Sequence, residues 1–494
     1  MFTCDFSKKG TMTFCDFLIE SIKSKIIDGT LSPNEKLPSK RTLSSHLGVS
    51  VITVQNAYSE LISQGYIFSI EKKGFFVTEL PKEIKSLSSN SYKQNFKKEK
   101  SIKKINSKTK EKIFIDLKSN SIGWEKFPFS IWSKIMRKVL NSPHENLLKS
   151  QPLQGTLELR EAICKHLKSF KNIEAVPEQI VVGAGTEMLY SFVVYLLGNE
   201  KVYAVENPGY KKIAQIFEMN GARTEHIPID KNGLNIEALK KINASVVHVT
   251  PSHHFPTGIV MPVKRRMELL FWAQEKKDRY IIEDDYDSEF RFTGKPILPL
   301  LCASKNENVI YINSFSKTLS PSFRISYMVL PKKLSEKFNS KFNFCSCTVN
   351  SFEQYALADF IKEEHYSKHI IRMKNYYRNL RNELIFKIEN SELKNFVKIH
   401  EENSGLHFLI SINSKFSGKT LEMRLKKNGI KISALKDFFY ELEDFSIFSE
   451  YSKSFPIDKT FVINYSGIEK QKIPKTVELI LKSIRWKKSK SSLV

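Results

Sequence analysis

Six cysteines in 494 residues, at positions 4, 15, 164, 302, 345 and 347, form no pair with the spacing of a zinc site, and Cys345-Ser-Cys347 stands too isolated to be one. Scattered thiols of this kind suit a reducing compartment rather than a disulfide framework. Long apolar runs are missing as well. The longest, Ile180 to Gly198, is broken by Glu187 and two early glycines, which excludes a membrane span. The opening Met-Phe-Thr-Cys-Asp-Phe-Ser lacks the charged-then-apolar order of a secretory leader. These absences predict a cytoplasmic protein with no metal site and no membrane partner. Acidic charge is short too, with 53 Asp and Glu against 78 Lys and Arg, for a formal charge of +25. Such a balance points to an acidic partner such as nucleic acid. What is present, 41% hydrophobic and 27% charged residues, fits a soluble globular chain with room for two or three domains.

The charge is unevenly spread. Residues 1–81 carry only +1, residues 82–112 carry +8 from 11 Lys and 3 Glu, and the remaining +16 lies beyond. In the near-neutral first stretch, Phe14, Phe17, Leu18, Ile22 and Ile26 recur on one helical face over residues 14–27. Asp28-Gly29-Thr30 stops that helix, and Ser39 is placed to cap a second one carrying Leu43 and Leu47. Gly48-Val49 makes a tight turn, and Ser50 caps a third helix with Val54, Ala57, Tyr58 and Leu61 inward and Thr53, Gln55 and Asn56 outward. Two short helices about a glycine turn, with polar residues early on the second, describe a helix-turn-helix. Two short strands, 67–70 and 75–78, flank the basic turn Glu71-Lys72-Lys73-Gly74 and make a wing.

Leu37-Pro-Ser-Lys-Arg-Thr-Leu43, Leu47-Gly-Val-Ser-Val-Ile-Thr-Val54, Ala57-Tyr58, Gly65-Tyr66 and Gly74-Phe-Phe-Val77 resemble, in order and spacing, the GntR-type winged helix-turn-helix. The resemblance implies a double-stranded DNA operator as partner. Lys40, Arg41, Ser50, Thr53 and Gln55 would contact DNA, with Lys72 and Lys73 on phosphates. One departure bears on that role: the family's basic residue directly after the turn serine is Val51 here. Its loss should weaken affinity or alter base preference.

The DNA-binding domain is expected to occupy residues 1–81. A flexible basic linker, rich in lysine, serine and asparagine and without apolar period, is expected over 82–115. From Asp116 to the end, residues 116–494, apolar strands alternate with helices. Strands at 180–182, 201–206, 245–249, 279–283 and 309–312 each run into a loop rich in glycine, proline, hydroxyls or carboxylates. Repeated strand–loop–helix units predict an α/β domain around a mainly parallel sheet, with ligands at the carboxyl ends of its strands.

The last of these loops, Asn313-Ser314-Phe315-Ser316-Lys317-Thr318, presents one lysine among hydroxyls, and Arg324 follows seven residues on. A lysine whose surroundings free its amine forms a Schiff base with an aldehyde. An arginine holds a phosphate through paired hydrogen bonds. Aldehyde and phosphate together describe pyridoxal 5'-phosphate. The other loops supply what that cofactor needs. Gly183-Ala184-Gly185-Thr186 at a helix start offers backbone N–H groups and a hydroxyl to phosphate. Tyr210 can stack on the ring, Asp284 can hold the pyridine nitrogen protonated, and Tyr286 can donate to the ring oxygen. Ser314 and Ser316 complete a phosphate site with Arg324.

Residues 116–490 resemble fold-type I aminotransferases. Thr250-Pro-Ser-His-His-Phe-Pro-Thr-Gly258, Ile282-Glu-Asp-Asp-Tyr-Asp-Ser-Glu-Phe290 and Ser314-Phe-Ser-Lys-Thr-Leu319 are closer still to the MocR subfamily of GntR regulators, which joins a winged helix to an aminotransferase-like domain. The resemblance implies Lys317 as the imine lysine and a homodimer with each DNA-binding domain over the partner's aminotransferase-like domain. Two departures bear on chemistry, the second of them on recognition of a substrate carboxylate. Phe255 stands where aminotransferases have asparagine, and Val462 stands where many have arginine, with Lys212 as the substitute cation on offer. These losses favour a regulator that senses pyridoxal phosphate itself, as PdxR-like members do, or a small amine or amino-acid effector. A working aminotransferase with a DNA-binding segment, and a protein that stores the cofactor, are the alternatives.

Overall fold

The computed structural model describes residues 10–80, 113–119, 124–142, 144–294, 297–304, 307–403, 405–440 and 456–485. Residues 82–112 of the expected linker lie outside them. The chain divides into two compact units, Met1–Thr109 and Lys110–Val494.

In the first unit, helix α1 (Phe14–Ile27) starts at Thr13, whose hydroxyl accepts from the Asp16 amide at 3.1 Å. Strand β1 (Lys36–Leu37) precedes α2 (Lys40–Leu47), which Ser39 caps and which ends at Gly48 in the left-handed region, φ 67°. Ser50 caps α3 (Val51–Ser63) by accepting from the Thr53 amide at 3.0 Å. A hairpin of β2 (Ile67–Ile70) and β3 (Gly74–Val77) follows, and β1 adds to the far edge of β3. Leu18, Ile22, Leu43, Val54, Ala57, Tyr58, Leu61, Ile67 and Val77 meet in one core, which burial of the apolar stripe of each helix produces. The Tyr58 hydroxyl, carried into that core, donates to the Pro38 carbonyl at 3.0 Å.

The second unit opens with the short strand β4 (Ile115–Asp116). Its main sheet contains β5 (Ile180–Gly183), β6 (Val202–Asn207), β7 (Arg223–Asp230), β8 (Gly233–Leu234), β9 (Val246–Val249), β10 (Tyr280–Asp284), β11 (Val309–Ser314) and β12 (Ser326–Val329). Their order is β5-β12-β11-β10-β9-β6-β7-β8. Strands β11, β10, β9, β6 and β7 run parallel, and β12 lies antiparallel between β11 and β5. Period-two alternation sends Ile310 and Ile312 to one face and Val309 and Tyr311 to the other, and both faces are covered. Helices 186–197, 212–219 and 332–342 pack on the first face, and helices 157–171, 263–274 and 351–362 on the second. Strands β7, β8 and β12 join the five read from the sequence. The stretch from β11 to β12 is too short for a crossover helix, so β12 returns antiparallel.

A second, antiparallel sheet has the order β13-β14-β17-β16, from β13 (Val397–His400), β14 (His407–Ile412), β16 (Ser433–Ala434) and β17 (Thr460–Asn464). Strand β15 (Ile430–Lys431) pairs in parallel with β4. Helices 365–389, 418–427 and 473–484 contribute to the core on this sheet.

Candidate functional site

Loops leaving the carboxyl ends of β5, β6, β9, β10 and β11 surround a cavity of about 490 Å³. Thr186, Tyr210, Asp284, Tyr286, Ser314, Ser316, Lys317 and Arg324 all line it, so residues spread over 139 positions of sequence converge on one space. Lys317 follows β11 directly. Burial lowers its amine from the ordinary lysine range, opposed by the charges of Asp287 and Asp284. Asp284 ends β10, and its Oδ2 accepts from the Tyr190 hydroxyl at 2.7 Å. That hydroxyl also lies 3.1 Å from His248 Nε2. The other oxygen, Oδ1, is buried and has no partner among the described residues. A protonated ring nitrogen is the donor that would satisfy it. The Tyr286 hydroxyl lies 3.2 Å from His253 Nδ1, which is itself 3.0 Å from Asp287. Asp287 therefore sets the His253 ring, and His253 sets the tyrosine. Sequence reading named no metal ligands, yet His253, Asp287 and His407 bring one donor atom each within 4.8 Å of one another. Tyr210 stands exposed at the mouth of the cavity, its ring edge-on to Phe255 at 5.7 Å.

At the opposite end, Ser314 Oγ donates to Ser316 Oγ at 2.9 Å and accepts from the Ser316 amide at 3.1 Å. Arg324 sits in the left-handed region at φ 50°, an uncommon conformation for a side-chain-bearing residue that aims its guanidinium at Glu187. Lys212 also donates to Glu187. Burial alone would raise the Glu187 carboxyl, but the bonds from Lys212, its own backbone and Arg324 bring it down to about 2. Gly185 adopts φ 96°, a conformation that side-chain-bearing residues rarely take, and its missing Cβ leaves room for the Arg324 guanidinium. Two expected phosphate donors point elsewhere. The Ala184 amide donates to Thr348 Oγ1 at 3.1 Å, and the Gly185 amide turns back to the Gly183 carbonyl at 2.8 Å. Lys212 is not a free cation for a carboxylate, since Glu187 holds it.

Several residues of this site went unread in the sequence. Tyr190 lies one helical turn past Thr186, a spacing that does bring it to the same face. Glu206 is the penultimate residue of β6, which ends at Asn207 of Asn207-Pro-Gly-Tyr210. It is buried and accepts from the Thr250 amide at 3.1 Å and the Thr250 hydroxyl at 2.9 Å. Burial above all, with the Asp284 charge, pushes it up to about 8 against those bonds.

In the first unit the expected DNA contacts lie at the start of α2, at the start of α3 and in the wing turn. Arg41 and Gln55 are exposed, and Ser50 and Thr53 hydroxyls lie 2.8 Å apart at the helix cap. Lys40 lies 5.4 Å over the Phe75 ring, which ties α2 to the wing strand. Lys72 and Lys73 are exposed in the wing turn, Lys72 at φ 60°.

Comparison with known proteins matches residues 15–77 to bacterial regulatory proteins of the gntR family and residues 112–423 to aminotransferase class I and II. The chain is 35% identical over 416 residues to the HTH-type transcriptional regulator YdeL of Bacillus subtilis, covering 84% of this chain and 87% of that one. It is 28% identical to the probable rhizopine catabolism regulatory protein MocR of Rhizobium meliloti, over 95% and 92% of the two chains. The chain belongs to the MocR subfamily of GntR-type transcriptional regulators. The pyridoxine biosynthesis regulator PdxR of Corynebacterium glutamicum is 27% identical over 85% of this chain and 88% of its own. The second unit's fold is that of solved aminotransferases. Pyrococcus horikoshii kynurenine aminotransferase aligns with a TM-score of 0.64 at 22% identity, covering 82% of this chain and 96% of its own.

In this MocR-type regulator Phe255 and Val462, the two departures from the aminotransferase pattern, share apolar surroundings. Val462, fully buried on β17, faces Leu409 and Ser433 of neighbouring strands. It belongs to a cluster with Ile229, Ile259, Leu435 and Phe439, against which Phe255 and Phe438 pack. The Phe255 ring lies edge-on to Phe438 at 5.2 Å and to Tyr286 at 6.5 Å. Among the described residues, no helix is long and apolar enough to cross a membrane.

Proposed function

We propose that this MocR-type regulator binds pyridoxal 5'-phosphate through Lys317 and uses its occupancy to set DNA binding. The observation that carries the reading is the pairing of a half-buried Lys317, its amine lowered by desolvation, with the unpartnered Asp284 Oδ1 in one cavity. When bound, the cofactor supplies an aldehyde carbon to the lysine amine and a ring that draws electrons once its nitrogen carries a proton. Asp284 would keep that proton on the nitrogen, and Tyr286, held by His253, would donate to the ring oxygen. Arg324, Ser314, Ser316 and Thr186 would bind phosphate, with Tyr210 covering the ring.

The apolar surroundings of Phe255 and Val462 support sensing over turnover. A carboxylate brought there would lose its water without gaining an arginine, so amino acids should bind poorly. Pyridoxal phosphate itself, or an amine without a carboxylate, fits better as effector. Homodimers would present two α3 helices to two half-sites, and a change in dimer geometry would alter their spacing.

The test is spectroscopic first. Pyridoxal phosphate should give a visible absorption band and a borohydride-fixed mass addition, both lost in Lys317→Ala. Attachment should accelerate with rising pH through a midpoint below that of an ordinary lysine, because the lowered amine sheds its proton earlier. Operator affinity should then differ with and without cofactor. Steady multiple-turnover transamination with a common amino acid would overturn the sensor reading in favour of an enzyme.

A further inference from the structure

Helix α3 contains no lysine and no arginine: its sequence is Val-Ile-Thr-Val-Gln-Asn-Ala-Tyr-Ser-Glu-Leu-Ile-Ser. Its inward face, Val54, Ala57, Tyr58 and Leu61, is buried. The opposite stripe, Ile52, Gln55, Asn56 and Ser59, repeats at i, i+3, i+4 and i+7 and is exposed throughout. Ile52 is 70% exposed and its neighbour Val51 is 42% exposed. Single exposed apolar side chains are ordinary on protein surfaces. These two are adjacent, and they occupy the first turn of the helix whose amino end a helix-turn-helix places against base edges. The Ser50 and Thr53 hydroxyls beside them are engaged with each other at 2.8 Å. The basic groups stand apart from this face, Lys40 and Arg41 on α2 and Lys72 and Lys73 in the wing turn. The surface is thus divided into cations at its rim and a neutral, partly apolar reading face.

Base-pair chemistry decides what such a face can read. In the major groove thymine alone offers a methyl group, adenine offers the acceptor–donor pair that a side-chain amide matches, and guanine is matched by arginine or lysine. Pressing Ile52 onto cytosine would instead bury the amino group of that base without an acceptor. We infer that α3 reads A·T base pairs, with Val51 and Ile52 packed on thymine methyls and Gln55 and Asn56 bonded to adenine. The inference rests on the DNA-binding role of this domain and adds its base preference.

The experiment uses the full chain and a pool of DNA duplexes with a randomised core. Duplexes retained after repeated selection should be A·T-rich where α3 lies. In the best of them, each thymine is replaced singly by deoxyuridine, which removes only the methyl. At one or more positions affinity should fall about fourfold, the worth of one buried methyl. That fall should vanish in Ile52→Ala or Val51→Ala, whose exposed positions leave the core intact and whose melting temperature should be unchanged. Deoxyuridine without effect at every position, a fall undiminished in both variants, or selection of G·C pairs under α3 would each overturn the inference while leaving DNA binding standing. Retention of no duplex at all would overturn the DNA-binding role together with it.

Discussion

The Tyr190 hydroxyl donates to Asp284 Oδ2 at 2.7 Å, across the space between the helix after β5 and the end of β10. The bond fixes the carboxylate and leaves Oδ1 as its uncommitted acceptor. The two residues should therefore differ in their effect on cofactor binding. Asp284→Ala removes a charge-assisted bond to the ring nitrogen and should weaken pyridoxal phosphate about tenfold to a hundredfold. Tyr190→Phe removes only the bond that orients it and should cost about fivefold. Absorbance titration of both variants separates these outcomes, and equal effects would argue against Asp284 as the nitrogen's partner.

Glu187 occupies the cationic end of the cavity with Arg324 and Lys212. A bound phosphate must compete with that carboxylate for the guanidinium. Glu187→Gln should tighten pyridoxal phosphate, by up to about fivefold for a pair so exposed to solvent. Competition by inorganic phosphate should strengthen in the same variant. Weaker binding would mean that Glu187 positions Arg324 rather than rivals its ligand.

Buried Glu206, pushed up to about 8, holds a proton in the folded chain that the unfolded chain has already lost. Between its ordinary carboxyl value and about pH 8, folding therefore takes up protons, and stability should decline as pH rises. One such group contributes a slope of at most ~1.4 kcal/mol per pH unit. Glu283, raised to about 7 by burial and by Asp285, acts in the same direction. Glu206→Gln should flatten the pH dependence of the denaturation midpoint while leaving the Glu283 share. An unchanged profile would show Glu206 to be ionised in the native state.

Lys171 is buried between Asp285 at 3.0 Å and Glu289 at 3.1 Å, beneath the loop that carries Asp284 and Tyr286. Burial alone would lower its ammonium, yet the two carboxylates outweigh that and raise it. The Tyr311 hydroxyl adds a bond to Asp285 at 2.6 Å. Lys171→Met leaves two buried carboxylates without their cation and should cost about 3–5 kcal/mol in chemical denaturation. A loss below ~1 kcal/mol would show that the pair is solvated or protonated.

Much of this architecture is local chemistry and was legible along the chain. Ser39 and Ser50 cap the helices they precede because a serine oxygen satisfies an amide one turn ahead, wherever the helix later packs. The apolar run Val309–Ile312 marked the strand that delivers Lys317, since a short run covered on both faces reads as a buried parallel strand. The cofactor residues were readable by their chemical kind and by the family they resemble.

Other relationships arise only when distant segments meet. Strand β12 turned antiparallel because of a short connection within a sheet whose order no single stretch encodes. The Ala184 amide, aimed by sequence at phosphate, is taken by Thr348, 164 positions away. Tyr190 reaches Asp284, Phe255 joins the cluster that contains Val462, and Glu187 intercepts Lys212 and Arg324 by the same kind of long-range closure. The sequence by itself determined which groups are available: a reactive lysine, a carboxylate for a ring nitrogen, a DNA-reading helix without basic residues. Tertiary structure decided which of those groups are already committed to one another, because hydrogen bonds and burial depend on distances that only the folded chain sets.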